Sequence, residues 1–493
     1  MKMLKSFILA AMLLYASGTS AQTAQTLSLD DCRKLALQNN KALAISNAKS
    51  EKAYYDRKAA RTNYLPKVAL MASYTRTGDE ISLLNDDQKS VISNMGTTLG
   101  SQFSSMAGQI VQAHPDLASL IQAAGDYLPQ VSTALNSAGQ QLVDALHTDT
   151  RNMTIGAVMQ TQPLYMGGKI RAYDRITRYS EEIAKLQLRA DAQEVILDAD
   201  QAYWQVVSLT NKRKLALSYR DMLQHLNDDM DKMIAEGVAT RSNGLSVSVK
   251  LNEAEMSLTK VENGLTLSRM LLCQICGLPL DTQVQLTDET LDDFPTLVED
   301  VEADASAAFA NRPELLQLSA ATDIYKEKVN IERSAFLPQL ALTGGYFTTN
   351  PSLFNGFERK FRGTWAVGLS FKMPLWSWGE GKYKVRAAKA EAKVADYQLA
   401  EAREKVELQV SQSAFRVNEA NKQYALSLKN QEKADENLRT AQVGFREGVV
   451  TTSDLLAAQT AWLQAQSDKI DAQIDVRLTR ATLSKALGTL SEE

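Results

Sequence analysis

The chain has 493 residues, of which 44% are hydrophobic, and carries 54 basic against 58 acidic side chains for a formal net charge of −4. This near-balance excludes the basic surface expected of a nucleic-acid-binding protein. The three cysteines and three histidines form no pattern of paired metal ligands, so we expect no metal, no cofactor and no catalytic residue set.

The first 21 residues have the pattern of a secretory signal peptide. Two lysines precede an apolar run at 7–16, and small residues follow at 18–21. We therefore expect cleavage before Gln22 and export of the mature chain. No later run approaches the roughly 18 uncharged apolar residues that a membrane-spanning helix needs.

The remaining sequence is a duplication. YLPKVALMASY (64–74) aligns with FLPQLALTGGY (336–346) at an offset of 272, and AEGVAT (235–240) aligns with REGVVT (446–451) at an offset of 211. The two offsets differ by the 61 residues that only the first copy contains. We predict a first repeat at 22–281 and a second at 282–493. Each repeat runs as a helix, two strands, a very long helix, a tight turn and a shorter return helix.

Two strands are predicted in each repeat, at about 65–76 and 153–163 and at about 337–348 and 364–375. Alternate residues from Trp365 to Met373 are apolar, and the intervening ones are small or polar. Strand 153–163 breaks this pattern, because its apolar residues align with the small and polar residues of strand 364–375 and not with the apolar ones. Either a bulge shifts its register or the alignment of the repeats slips by one residue.

The strands favour a membrane location over a sheet that covers a soluble core. Their length suits tilted membrane strands, and aromatic residues cluster near both ends, as in the girdles of transmembrane barrels. The expected interface aromatics are Tyr64, Tyr165, Phe336, Trp376 and Trp378 at one end and Tyr74, Tyr346 and Trp365 at the other. Four strands cannot close a barrel, so the chain must oligomerise: two copies give eight strands with a filled interior, and three give twelve that enclose a passage.

The extra segment of the first repeat, about 79–150, is predicted to be a helical hairpin. Its apolar residues recur every three or four positions, and His114-Pro115 interrupts the pattern. It joins two strands at the end opposite the strand-to-helix junctions. If those junctions face the periplasm, the hairpin is extracellular.

Proline and glycine mark the junction at which a strand becomes a long helix. Proline ends the hydrogen-bonded ladder, and glycine permits the change of direction. The junction residues are Pro163, Gly167 and Gly168 in the first repeat and Pro374, Gly379 and Gly381 in the second.

The long helix of the second repeat is predicted at about 381–446, about 100 Å at 1.5 Å per residue. A helix of this length must pack against others along its length, so we predict a coiled-coil-like layer of helices. The tight turns that follow the two long helices contain Gly237-Val238 and Gly448-Val449. We expect these turns to form a tip remote from the strands.

The duplicated plan, the junctions PLYMGGK and PLWSWGEGK, and the turn EGVVTTSDLLAAQTA (447–461) resemble the TolC-type outer-membrane efflux proteins. The resemblance covers residues 27–490. It implies a mixed α and β fold with four transmembrane strands per protomer, a homotrimeric twelve-stranded barrel in outer-membrane lipid and an α-helical barrel across the periplasm. It also implies that the tip residues contact a periplasmic adaptor protein, which joins the channel to an inner-membrane transporter.

The resemblance further implies a pore gate at Asp454, matched by Asn243 in the first repeat. The sequence departs from the family pattern, because the second acidic gate position is Ala457. An aspartate that caps its helix is the alternative at Asp454. For the whole chain the function expected is a passive duct of a tripartite efflux or type I secretion system. The alternatives are a secreted or periplasmic coiled-coil scaffold or adhesin, and a periplasmic enzyme.

Overall fold

A computed structural model describes residues 25–78, 84–147, 149–290, 299–302, 304–352, 354 and 358–491. The predicted signal peptide lies outside these residues. The chain divides into two units. The helical unit comprises Met1–Ala60, Ala172–Asn330 and Lys382–Glu493, and the sheet unit comprises Arg61–Arg171 and Ile331–Gly381.

The elements follow the same order in both halves of the chain, and the first half contains three additional helices. In the first half they are β1 (Gln25–Leu27), α1 (Leu29–Asn39), α2 (Lys41–Arg61), β2 (Lys67–Arg76), α3 (Asp86–Ser93), α4 (Met95–Ala113), α5 (Ala118–Ala145), β3 (Asn152–Met166), α6 (Lys169–Ala235) and α7 (Arg241–Cys276). In the second half they are β4 (Val284–Leu286), α8 (Ser306–Asn311), α9 (Pro313–Ser334), β5 (Gln339–Asn350), β6 (Arg362–Lys372), α10 (Glu380–Arg446) and α11 (Thr452–Leu487). The predicted mixed α and β fold is confirmed.

The sheet unit is built on four antiparallel strands in the order β2-β3-β5-β6. Register pairs Leu70 with Val158, Val158 with Tyr346, and Tyr346 with Trp365. Since directly paired residues share a face, these four side chains lie on one face of the sheet. Residues on the other face of β6 are Thr364, Ala366, Gly368 and Ser370.

The register of β3 is continuous through the segment that breaks the alternation. Pairing with β5 runs without interruption from Thr154 to Pro163, and the only shift lies between Pro163 and Tyr165. Within this stretch there is neither a bulge nor a one-residue slip in the alignment of the repeats. Instead, Thr154, Gly156 and Gln160 of β3 lie on the same face of the sheet as Trp365. The bulge at Leu164 lies after this stretch, and it brings Tyr165 onto the Trp365 face.

The inserted segment consists of helices α3, α4 and α5. A 3₁₀ turn over Pro115–Leu117 separates α4 from α5, as the His114-Pro115 break predicted. Both α3 and α4 pack against α5. The segment is therefore a helical hairpin with one additional short helix.

The two long helices, α6 and α10, each contain 67 residues. One hydrophobic cluster holds them together with both return helices, α7 and α11. Its buried residues are Tyr219, Leu223, Leu226, Met230, Val247, Ala254, Leu438, Ala441, Leu455, Leu456 and Ala458. Among the described residues, none of the helices combines the length and the apolarity needed to cross a membrane.

A second cluster surrounds a two-stranded parallel sheet, β1 with β4, which the sequence did not predict. Cys32, Cys273 and Cys276 belong to this cluster and are free and fully buried. Nearby, the guanidinium of Arg33 donates to both carboxylate oxygens of buried Asp200 at 2.7 and 2.8 Å. This pair fastens α1 to α6.

Candidate functional site

The sheet exposes large apolar side chains across one face. On β6, Trp365 is 75% exposed and Leu369 is 66% exposed, and Leu70 on β2 is 76% exposed. A soluble monomer rarely leaves so extended an apolar patch in contact with water. The face therefore requires either lipid or another protein surface.

Both outer strands of this sheet also have a free edge. Within the described residues, β2 pairs only with β3, and β6 pairs only with β5. Across three antiparallel pairings, β2 and β6 run in opposite directions, so a β6 edge can continue the antiparallel order next to β2 of another copy. Such edges are templates for association and are not tolerated in lipid.

Five of the predicted interface aromatics lie at one end of the sheet. Tyr64 precedes β2, Tyr165 ends β3, and the two tryptophans after β6 stack edge to face with ring centroids 5.7 Å apart. Those tryptophans, Trp376 and Trp378, are strongly exposed. The fifth aromatic, Phe336, is half-buried rather than exposed, and its ring lies against Gly381.

The three aromatics predicted for the other end lie within the strands. Tyr346 pairs directly with Trp365 in the β5–β6 ladder. Tyr74 pairs with Thr154, and its hydroxyl donates to the Asn152 side chain at 2.8 Å. All three rings lie on the apolar face, and all three are exposed.

The junctions are backbone turns made by two consecutive residues with positive φ. In the first repeat these are Gly167 (φ 61°) and Gly168 (φ 85°). The equivalent residues in the second repeat are Trp378 (φ 51°) and Gly379 (φ 82°). A Cβ on Gly167 would lie 2.6 Å from the carbonyl oxygen of Ser334, so the first repeat has no room for a side chain there.

Gly381 does not have the backbone role predicted for it. It lies in the first turn of α10 without a positive φ, and a Cβ there would approach the ring of Phe336 to 2.7 Å. Glycine is needed at this position for space rather than for flexibility. The left-handed residue that the sequence analysis missed is Trp378, because a tryptophan gives no signal for positive φ.

The two tip turns have the same hydrogen-bond geometry. In the first repeat, the Val238 N–H donates to the Met233 carbonyl at 2.9 Å, and the Gly237 N–H donates to the Ile234 carbonyl at 3.1 Å. The second repeat has the equivalent bonds, in which Val449 donates to Gly444 and Gly448 donates to Phe445. This is the Schellman motif, which ends a helix at a left-handed glycine. It leaves both valines exposed on the turns.

Each return helix begins with a threonine cap. The Asp454 N–H donates to the Thr451 hydroxyl oxygen at 3.1 Å, and that hydroxyl donates to the Asp454 carboxylate at 2.7 Å. In the first repeat, the Asn243 N–H donates to the Thr240 hydroxyl oxygen at 3.3 Å. Asp454 is exposed, so its carboxylate both serves the cap and faces solvent.

Comparison with known proteins identifies the family to which this architecture corresponds. The model of the family described as "Outer membrane efflux protein" matches residues 111–278 and 305–489. The chain is 24% identical over 388 residues to alkaline protease secretion protein AprF of Pseudomonas aeruginosa, covering 74% of this chain and 77% of the relative. It is 23% identical over 358 residues to outer membrane protein TolC of Escherichia coli, covering 69% of this chain and 71% of the relative.

The fold is also similar to that of solved structures. The outer membrane protein VceC of Vibrio cholerae superimposes with a TM-score of 0.69 at 15% sequence identity, covering 93% of this chain and 96% of VceC. The likeness extends over both repeats.

Proposed function

We propose that this chain, which belongs to the outer membrane efflux protein family and is an outer-membrane duct for efflux or secretion in a Gram-negative bacterium, works as a homotrimer. In this trimer, three four-stranded sheets close a twelve-stranded barrel. We further propose that a periplasmic adaptor couples this trimer to an inner-membrane transporter.

The main support for a trimer is that the two edge strands, β2 and β6, are antiparallel and unpaired on their outer sides, in a sheet whose apolar face is exposed. Ring closure satisfies the main-chain groups of both edges, and the lipid then covers the apolar face. Three copies are favoured over two because an eight-stranded barrel is filled by its own side chains. The small and hydroxyl side chains on the other face of β6 then line the passage.

The helices α6 and α10 are proposed to continue the passage through the periplasm. Each would span about 100 Å if straight, and the tip turns mark the far end. Val238 and Val449 are proposed to contact the adaptor, because both are exposed and apolar. A Cβ on Gly448 would meet nothing within 4 Å, so this turn has an open surface on which a partner can dock.

Asp454, with Asn243 at the matching position, is proposed to constrict the duct near the tip. In a trimer, three Asp454 carboxylates would form a ring of negative charge, and such rings favour cations in a pore. The hydrogen bond from the Thr451 hydroxyl to the Asp454 carboxylate supports the proposed gating role as well as the helix cap, because it holds the carboxylate in one orientation.

Transport through such a duct is proposed to be passive. The sequence contains no GxxxxGK[ST] loop for binding nucleotide phosphates, so energy would come from the inner-membrane partner. A scaffold or adhesin without a channel would account for the helices but would leave the exposed apolar face and the free edges without a purpose.

The closing seam between copies can be tested by disulfide trapping. Ser73 on β2 is replaced by cysteine together with Ala366, Gly368 or Ser370 on β6, one pair at a time, because all four positions are on the same face. Native mass spectrometry of the purified protein should give the trimer mass, and one pair should yield a covalent ladder up to trimer. A monomeric or dimeric mass would contradict the proposal.

A further inference from the structure

The inserted hairpin is tightly packed through its smallest residues. A Cβ on Gly96 of α4 would lie 2.1 Å from the carbonyl oxygen of Ser132, and one on Gly139 of α5 would lie 2.1 Å from the carbonyl oxygen of Ile92. The backbones of the packed helices therefore approach each other closely, and only glycine fits at these two positions.

Asn136 fixes the start of α4 within this hairpin. Its side-chain oxygen accepts from the N–H groups of Gly96 at 2.8 Å and Thr97 at 3.1 Å, and its amide donates to the Thr97 hydroxyl at 2.7 Å. The hairpin thus has a defined conformation. The apolar residues Ile121, Leu128 and Leu135 are half-buried on the same face of α5 as Gly139, whereas the apolar residues of α4 are more exposed.

The apolar residues of α4 form a stripe that the chain leaves uncovered. We call this stripe the α4 seam; its residues are Met95, Leu99, Phe103, Met106 and Ile110. All five side chains are exposed, although they recur at the spacings of three and four that typify a coiled-coil seam. A seam of this kind needs another helix against it.

The composition of the insertion argues against lipid as the covering. From residue 90 to residue 147 the sequence has no lysine, arginine or tryptophan, and its charged side chains are only Asp116, Asp126 and Asp144. Helices that lie in a membrane interface are typically rich in lysine and arginine on the polar face, with tryptophan or other large apolar residues opposite. The polar side chains of α4 are serine, threonine and glutamine, which suit a helix surrounded by protein and water.

The position of the insertion brings it close to other copies of the chain. It connects β2 with β3, and β2 is one of the two free edges at which a neighbouring copy is proposed to pair. An insertion that leaves the sheet beside this edge lies next to the interface between copies. In the proposed trimer, the α4 seam would extend that interface beyond the strands.

We infer that the α4 helices of three copies pack against one another through their seams, as a parallel trimeric coiled coil around the symmetry axis. This inference rests on the proposed trimer. The bundle would stand over the barrel opening at the end opposite the strand-to-helix junctions, with α5 as its outer layer. It would narrow the external exit of the duct and add a second site of trimer assembly that is independent of the sheet.

The test uses single cysteines on the full-length protein. In a parallel trimer, Leu99→Cys places three thiols close to the axis, so mild oxidation should convert the chain largely into a covalent dimer. Ser101→Cys is the matched control, because it is exposed on the opposite side of the same helix and should give no dimer. Met106→Cys repeats the measurement two seam positions further along α4. The parent chain, whose three native cysteines are buried, provides the blank.

Native mass spectrometry of each variant separates this inference from the proposed function. If native mass spectrometry gives the trimer mass but neither Leu99→Cys nor Met106→Cys forms a covalent dimer on oxidation, the coiled coil is ruled out. The proposed twelve-stranded barrel would be unaffected by this result. In proteoliposomes, brominated lipid that quenches a fluorophore attached to the thiol of the Leu99→Cys variant would overturn it in favour of a membrane contact. Failure to form any trimer would overturn both.

Discussion

Trp378 occupies a backbone conformation that the first repeat assigns to glycine. Its φ of 51° matches the 61° of Gly167, but an L residue with a side chain in this region is strained by about 1–2 kcal/mol. The first repeat cannot accommodate a side chain at this point because of Ser334. The second repeat can, since the Trp378 ring is 86% exposed and stacks on Trp376.

Trp378→Gly should therefore be tolerated better than Trp376→Gly. Both variants remove one exposed indole, but only the first relieves a left-handed conformation, so its free energy of unfolding should be higher by about 1 kcal/mol. Urea unfolding of the detergent-solubilised assembly measures the difference. If Trp378→Gly proves the less stable of the two, the ring has packing contacts that outweigh the backbone strain.

The substitution Asp454→Asn distinguishes the proposed gating role of Asp454 from its role as part of the helix cap. Asparagine is the residue at the same position of the first repeat, where the Thr240 cap is present without a carboxylate. The variant should keep its unfolding free energy within about 0.5 kcal/mol and should lose sensitivity to block by divalent cations, because the proposed ring of charge is removed. Conductance titrated with Mg²⁺ is the readout. An unchanged block would leave Asp454 with the capping role alone.

At the scale of elements, the strands and long helices could be predicted because their patterns are long. The alternating residues from Thr364 to Lys372 in β6 and the 67-residue run of α10 give clear periodicities, and Pro374 lies between the two elements. The β1–β4 pair was missed because three residues cannot show a period. The register of β3 was unresolved because its two neighbours set it through main-chain pairing, which its own side-chain pattern does not encode.

The inserted hairpin shows a different limit of sequence analysis. Its period correctly predicted helices, but it did not reveal which residues bring the helices into their closest contact. Gly96 and Gly139 do so through backbone proximity. Glycine within a helix usually lowers the stability of that helix, so the packing role of these two glycines was not evident from the sequence.

The two faces of β6 should respond oppositely to charge. Leu369→Arg places a cation on the proposed lipid face and should cost about 2–4 kcal/mol if the position lies near the bilayer centre. Ser370→Arg places the same side chain on the proposed lumen face and should be tolerated. The amount of trimer recovered from outer-membrane fractions compares them. Equal recovery would contradict the assignment of the faces.

The ends of α10 and α11 offer a matched test of left-handed glycines. Gly448 and Gly488 have φ values of 74° and 73°, but only Gly488 is crowded, because a Cβ there would lie 2.8 Å from backbone atoms of Arg312. Gly448→Ala should cost about 1 kcal/mol of unfolding free energy from the backbone alone. Gly488→Ala should cost clearly more, as judged by urea unfolding. Equal losses would show that the contact with Arg312 relaxes without cost.

At the scale of the whole molecule, the duplication accounts for most of the architecture. Each half supplies two strands of the four-stranded sheet, one long helix and a return helix, and the Schellman turns and threonine caps recur at equivalent positions. The insertion is the main departure from this symmetry. Membership of a family of outer-membrane channels establishes the function. The proposed number of copies rests on the free edges of the sheet, and the proposed adaptor contact rests on the exposed turns.

Single-channel recording of the purified assembly in a planar bilayer tests whether the protein is a duct. We predict discrete conductance steps from a particle whose native mass is that of three chains, because twelve strands enclose a water-filled passage. Leu369→Arg should abolish insertion of the particle, and Ser370→Arg should leave it intact. A purified trimer that inserts into the bilayer but never conducts, even when the proposed ring of charge is removed by Asp454→Asn, would contradict the duct.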